Sequence, residues 1–171
     1  MADKLFRFLL GTFVARAITR FIVAIGFNLG RIASYARARM LFPNVPDVVC
    51  GWTTEIKYPE NITLGKRVTL GAHCTIGAVA PIYIGDDVVL SKGVFIETGT
   101  ADVSTPPPYP KMAKPIRIEK GVWLGAYAMV MPGVTIGENS IIASGVIVRK
   151  SVPANSFVLD ERPRVQAFVR A

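Results

Sequence analysis

The chain has 171 residues, 51% hydrophobic and 19% charged, the size of one domain with a short appendage and too apolar for a disordered polyelectrolyte. A single histidine excludes a metal site built from several imidazoles of one chain, so no metal is expected; the two cysteines, Cys50 and Cys74, are too few for a disulfide framework or a four-thiolate zinc site. Both are expected as reduced core residues, which fits a cytoplasmic protein.

The net charge of +8 is localised. Residues 1–46 hold seven of the 20 basic residues (Lys4, Arg7, Arg16, Arg20, Arg31, Arg37, Arg39) and one acid, Asp3, so this arm carries +6 of it. Nucleic acid is not the expected partner, because the arginines are interleaved with Leu9, Leu10, Phe13, Ile18, Phe21, Ile22 and Phe27 in an amphipathic pattern. Arg16, Arg20 and Arg31, spaced by four and eleven, fall on one face of a helix. The spacing predicts a helical arm from about Lys4 to Met40, broken near Gly26 or Gly30. Its longest uncharged run, Phe21 to Gly30, is ten residues, against about twenty for a bilayer span, so no crossing is expected. Two readings stay open: peripheral contact of residues 1–42 with an anionic membrane surface, or packing of the arm on the protein or on another subunit.

From Ile62 the chain repeats with period six: ITLGKR, VTLGAH, CTIGAV, then IYIGDD, VVLSKG, VFIETG, and from Ile116 IRIEKG, VWLGAY, AMVMPG, VTIGEN, SIIASG and VIVRKS. The third residue of all twelve hexads, from Leu64 to Val148, is aliphatic, and in six the next residue is Gly (Gly65, Gly71, Gly77, Gly85, Gly125, Gly137). Six is even, so the period preserves strand alternation and adds a regular turn. Three hexads close a triangular coil and twelve make four coils, each edge burying one aliphatic. The expected fold is an all-β solenoid, a parallel β-helix over 47–153 with an earlier partial coil near Trp52 to Tyr58, a loop at 97–115 and a C-terminal tail at 154–171.

The hexads, and above all PIRIEKGVWLGAYAMVMPGVTIGENSIIASGVIVRKSVP at 115–153, resemble the hexapeptide-repeat acyltransferases, and among them sugar O-acetyltransferases of the galactoside, maltose and colanic-acid type. The resemblance covers about Ile62 to Pro153. It implies a left-handed β-helix, a homotrimer, and an active site between neighbouring β-helices where a sugar hydroxyl attacks the thioester of acetyl-CoA.

In that family the stretch after the sixth hexad carries a general-base His. This chain reads Thr98-Gly99-Thr100-Ala101-Asp102, so Ala101 stands at the base position, and an alanine methyl accepts no proton. Either the position was altered to capture an unreactive complex, or it is natural with reduced or lost activity; the expectation is an inactivated variant. Asp102 is expected to orient the acceptor or the absent base. His73 matches a stretch that lines the acceptor side, so it contacts the sugar, replaces the base, or is an ordinary turn residue. For the cosubstrate the resemblance implies Ala126, Ala143, Ser144 and Gly145 as small residues under the thioester arm, with Arg149, Lys150 and Arg164 as cations for CoA phosphates. Trp123 walls the acyl pocket or simply packs. Asp160 and Glu161, which depart from the family pattern, would repel phosphate near Arg164. The loop prolines 106–108 and 110 pre-stiffen a flap carrying Tyr109 for sugar stacking, or form a plain spacer.

The resulting expectation is an acetyl-CoA-dependent O-acetyltransferase of polysaccharide biosynthesis acting on a glycan or lipid-linked sugar, at the inner face of the membrane if the arm binds lipid. An N-acetyltransferase on an amino or nucleotide sugar and a non-catalytic CoA- or glycan-binding β-helix are the alternatives.

Overall fold

The computed structural model describes residues 13–45 and 47–159. The period-six pattern folds as a parallel β-solenoid of about six turns preceded by one helix, α1, Phe13–Leu41. Coil 1 holds β1 (Val49–Cys50), β2 (Glu55–Lys57) and β3 (Ile62–Leu64); coil 2 holds β4 (Thr69–Leu70), β5 (Thr75–Gly77) and β6 (Ile82–Ile84). Coil 3 runs through β7 (Val89–Leu90) and β8 (Phe95–Glu97), leaves the prism as a hairpin of β9 (Gly99–Ala101) and β10 (Lys111–Ala113), and returns in β11 (Ile116–Ile118). Coil 4 holds β12 (Trp123–Leu124), β13 (Met129–Val130) and β14 (Thr135–Ile136), coil 5 holds β15 (Ile141–Ile142) and β16 (Ile147–Val148), and β17 (Phe157–Val158) opens a sixth.

The strands stack into three parallel sheets: a first face β1-β4-β7-β12-β15-β17, a second face β2-β5-β8-β13-β16, and a third face β3-β6-β11-β14. The third face gains a fifth rung through the Ile136–Val152 bridge. β17 pairs with β15, Ile141 against Phe157, so the solenoid runs past the sequence-derived boundary at 153 and takes residues 157–158 from the expected tail.

All twelve third-position aliphatics are buried, at 8% exposure or less. The first residue of every hexad is buried too, from Ile62 and Val68 to Ser140 and Val146. The prism therefore holds two inward residues per edge, where the sequence reading assigned one; an even repeat puts positions one and three on the same side. Ser140 is the polar exception, and it is satisfied, its Oγ donating to the Pro153 carbonyl at 2.8 Å and accepting the Ser156 amide at 3.1 Å. Val49, Thr69 and Val89 stand in register, so the first two coils take twenty residues each, not eighteen. The surplus lies in the longer turns 58–61 and 78–81, where Tyr58 to Asn61 includes a 3-10 turn. Close stacking explains the glycines: a Cβ on Gly71 would meet the Leu90 carbonyl oxygen of the next coil at 2.6 Å.

Helix α1 is continuous through Gly26 and Gly30, against the expected break, because a single glycine costs only about 1 kcal/mol in a helix. Residues Lys4 to Thr12 of the expected arm lie outside the described residues. Ala15–Leu41 is long and apolar enough to cross a membrane by length and composition, which the ten-residue uncharged run had not suggested. Its C-terminal part is seated on coil 1: Ser34 and Ala38 are buried, Ser34 Oγ accepts the Trp52 amide at 3.2 Å, and Arg37 donates to the Trp52 carbonyl at 2.9 Å. Phe42 and Val48 then join the core. Cys50 and Cys74 are free and buried; burial pushes both thiols above their ordinary range, only partly offset at Cys50 by the Arg37 guanidinium.

Truncating Leu124, fully buried, to Ala is expected to destabilise the chain by about 2 to 5 kcal/mol. The outward Ile141→Ala change is expected to cost less than about 1 kcal/mol. Urea unfolding followed by circular dichroism checks both, and equal losses would contradict the inward and outward assignment.

Candidate active site

Where one coil passes from the first face to the second, its two turn residues stack on those of the neighbouring coils and form a column along the prism edge. The column holds Trp52-Thr53, Ala72-His73, Lys92-Gly93, Ala126-Tyr127 and Ser144-Gly145. Its order is held by hydrogen bonds from each coil to the next: Gly93 N–H to the Ala72 carbonyl, Tyr127 N–H to Lys92 and Gly145 N–H to Ala126, at 2.8 to 3.0 Å. His73, Gly93, Tyr127 and Gly145 all have positive φ, between 58° and 76°.

Four residues expected under the thioester arm, Ala126, Ala143, Ser144 and Gly145, are thus brought together on coils 4 and 5 of this edge. Ser144 and Gly145 are exposed, and a Cβ added to Gly145 would meet nothing within 4 Å, so the surface above them is open and low. Trp123 leans toward the same edge from the first face: half its surface is exposed, and its indole N–H donates to Ser91 Oγ on the coil below at 2.9 Å. It is therefore a fixed wall beside the edge and not part of the core.

Arg149 and Lys150 lie at the other end of β16, about 13 Å along the chain from Gly145 at strand rise. Both are exposed and, with Ser151 and Ser156, line a concavity of about 500 Å³. Arg164, with Asp160 and Glu161, lies outside the described residues.

His73 sits on the same edge two coils before Tyr127, about 10 Å away at the inter-strand spacing. It is exposed, and its backbone N–H donates to Thr53 Oγ1 at 3.0 Å. Ala101 is elsewhere. It ends β9, opposite Lys111 in the antiparallel hairpin, which leaves the prism at the far end of the second face. Within one chain His73 and the small-residue edge are therefore separated from Ala101 by the width of that face.

The hairpin replaces the irregular flap expected at 97–115, and its base is well anchored. Buried Thr98 donates through Oγ1 to the Gly77 carbonyl at 2.9 Å and accepts the Ala80 amide at 3.0 Å. Glu97 accepts the Gly99 amide at 2.9 Å. A cavity of about 350 Å³ lies between the hairpin and Val79, lined by Gly99, Thr100 and Lys111 to Ala113. Asp102 is committed locally: Oδ1 accepts the Ser104 amide at 3.0 Å and the Ser104 hydroxyl at 2.6 Å. Those bonds hold its carboxyl below the usual range, so it is a poor proton acceptor and shapes the hairpin tip. Tyr109 is half exposed at that tip.

Sequence reasoning missed two residues here. Tyr127 is exposed between the small residues, and its ring packs over Gly93. The available signal was a non-glycine residue in a turn position where Gly93 and Gly145 stand on neighbouring coils. Ser91, the Trp123 partner, had no signal, because the contact spans 32 residues.

The hexad and the geometry agree with what comparison finds. The family described as "Bacterial transferase hexapeptide (six repeats)" matches residues 115–150, and "Hexapeptide repeat of succinyl-transferase" matches residues 61–97. The two matches take in the hexads on either side of the hairpin. The chain is 34% identical over 105 residues to galactoside O-acetyltransferase of Escherichia coli K12, covering 57% of this chain and 49% of the relative. A galactoside acetyltransferase solved in complex with coenzyme A superposes with a TM-score of 0.62 at 28% identity, covering 71% of this chain and 64% of that one. A hexapeptide-repeat-containing acetyltransferase from Vibrio cholerae matches over 94% of this chain and 96% of its own at 21% identity and a TM-score of 0.63, which shows the left-handed β-helix with its leading helix. The chain spans half or less of the length of the first curated relatives it matches.

Because the folded pKa of Asp102 is depressed, its stabilising bonds to Ser104 are present above the unfolded carboxylate pKa and are lost as pH falls through the lower folded value. Ser104→Ala is expected to move the Asp102 titration up toward the ordinary range, read by carboxyl carbon NMR; an unmoved titration would contradict the geometry of the hairpin tip.

Proposed function

We propose that the chain is an acetyl-CoA-dependent sugar O-acetyltransferase working as a homotrimer, with activity reduced by Ala101. The observation that carries this reading is the low, open edge of Ala126, Ala143, Ser144 and Gly145 beside Trp123, with Arg149 and Lys150 one strand length away. A pantetheine arm needs a surface without bulky side chains, and CoA phosphates need cations. The relatives that match are acetyltransferases, and one was solved with coenzyme A, which supports the same reading.

Because one chain separates the hairpin from the small-residue edge, a complete site needs the hairpin of one protomer against the edge of another. His73 and Tyr127 of the edge would then meet Tyr109 and the cavity beside Ala101 from the neighbour, with the sugar between them. In the transfer the acceptor oxygen bonds to the acetyl carbonyl carbon, the carbon–sulfur bond breaks, and CoA leaves as its thiol after taking up the acceptor proton. The oxyanion and the leaving thiolate form whichever acceptor is used, but a hydroxyl must also lose its proton. Neither the Ala101 methyl nor the tied Asp102 carboxylate takes it.

That gap favours one second reading, N-acetylation of an amino sugar, since a neutral amine attacks without a base. Release of CoA thiol with hydroxyl and amino sugar acceptors separates the two. On the first reading Ala101→His raises transfer to a hydroxyl by about 10² to 10⁴; on the second, amino sugars react already with Ala101 in place and the change adds little. CoA binding by calorimetry with no transfer by either form would replace both with a binding scaffold. Replacing Arg149 and Lys150 together by Ala is expected to weaken CoA binding about tenfold or more, and unchanged affinity would remove them from the site.

A further inference from the structure

Helix α1 has two unlike sides. Arg16, Arg20 and Arg31 continue the stripe of Ser34 and Ala38, the residues seated on coil 1. Half a turn away, at successive spacings of four and three, run Ile18, Ile22, Ile25, Leu29 and Ile32, exposed by 43 to 64%, and Phe21 flanks them. The helix has five arginines and no aspartate or glutamate, and none of those arginines is in an ion pair with a described residue.

We propose that this helix docks the protein on an anionic lipid surface, lying in the plane of the interface. The isoleucine stripe points away from the solenoid, so it sinks into the acyl boundary while the β-helix stays in water. A helix at that depth holds its opposite side at the level of the phosphates, and that side carries Arg16, Arg20 and Arg31. Charge selects lipid over a second copy of the helix: the 4-3 spacing would also suit a helical seam, but a copy brings five more arginines and no acid, whereas an anionic bilayer supplies the counter-charge. Seating selects lying over crossing. Residues 34–41 are held on coil 1, which leaves 19 residues from Ala15 to Ala33, about 28 Å of helix, with three arginines among them. The inference stands independently of the catalytic reading.

The test is flotation of the full chain with vesicles of phosphatidylglycerol and phosphatidylcholine in equal parts, against phosphatidylcholine alone. Flotation with the anionic vesicles only is expected. Joint replacement of Arg16, Arg20 and Arg31 by Gln is expected to lower the partition coefficient about a hundredfold, raised salt should act in the same direction on the unaltered chain, and Ile22→Asp with Ile25→Asp should abolish binding. These side chains are exposed, so an unchanged thermal melt certifies each fold. Equal flotation with neutral vesicles, no flotation, or indifference to the substitutions overturns the proposal. Retention through alkaline carbonate extraction would mean crossing and also overturns it, as would loss of oligomer mass in the isoleucine variant with vesicle binding intact, which would assign the stripe to a second copy.

Discussion

Coil-on-coil hydrogen bonding in parallel register is the constraint on which everything else in this molecule depends. Each strand of two or three residues satisfies its backbone through the coils above and below and not through its sequence neighbours, so isolated coils have nothing to hold them. Once the coils stack, each residue has a column. Two columns per edge must be small or aliphatic and inward, and a turn glycine such as Gly71 must leave room for the backbone above it. Extra residues fit only at the corners. The chain uses that freedom twice with modestly lengthened turns and once with a hairpin that leaves the prism after β8 and rejoins it at β11.

The same columns organise the chemistry. Residues far apart in sequence, His73, Gly93, Tyr127 and Gly145, become neighbours along one edge because each occupies the same turn position of a different coil. The second face then separates that edge from the hairpin bearing Ala101. A rigid solenoid cannot bend to bring the two together within one chain. The hairpin is firmly rooted at its base, where Thr98 is bonded to Gly77 and Ala80 of the body and Glu97 accepts the hairpin's Gly99 amide.

The N-terminal helix obeys a different physics. It is tied to the solenoid through Ser34, Arg37 and Ala38 near its C-terminal end, and Gly26, Phe27, Gly30 and Arg31 face coil 1 across a crevice that Trp52 and Ala72 also line. The helix carries one sign of charge and an uncovered isoleucine stripe, while the first face of the β-helix exposes a column of its own, Val89, Trp123, Ile141 and Phe157 in register.

The hexad was legible because an even, short period imposes both strand alternation and turn spacing on local sequence, and the twelve aliphatic positions and the parallel solenoid followed from it. The first-position column was equally present in the letters, from Ile62 to Val146, but became visible only as a second inward row when the prism closed. The motif residues Ala126, Ala143, Ser144 and Gly145, which the structure gathers on one edge, could be named from sequence. Three things belonged to the tertiary structure alone. The Trp123 bond to Ser91 and the Tyr127 contact with Gly93 join different coils, whose alignment depends on the lengths of all intervening turns. The commitment of Asp102 to Ser104 depends on the hairpin's pairing, and the continuity of α1 through two glycines depends on cooperative helix bonding and its seat on coil 1. Local periodicity determined which residues point inward; the register between distant segments decided which ones meet.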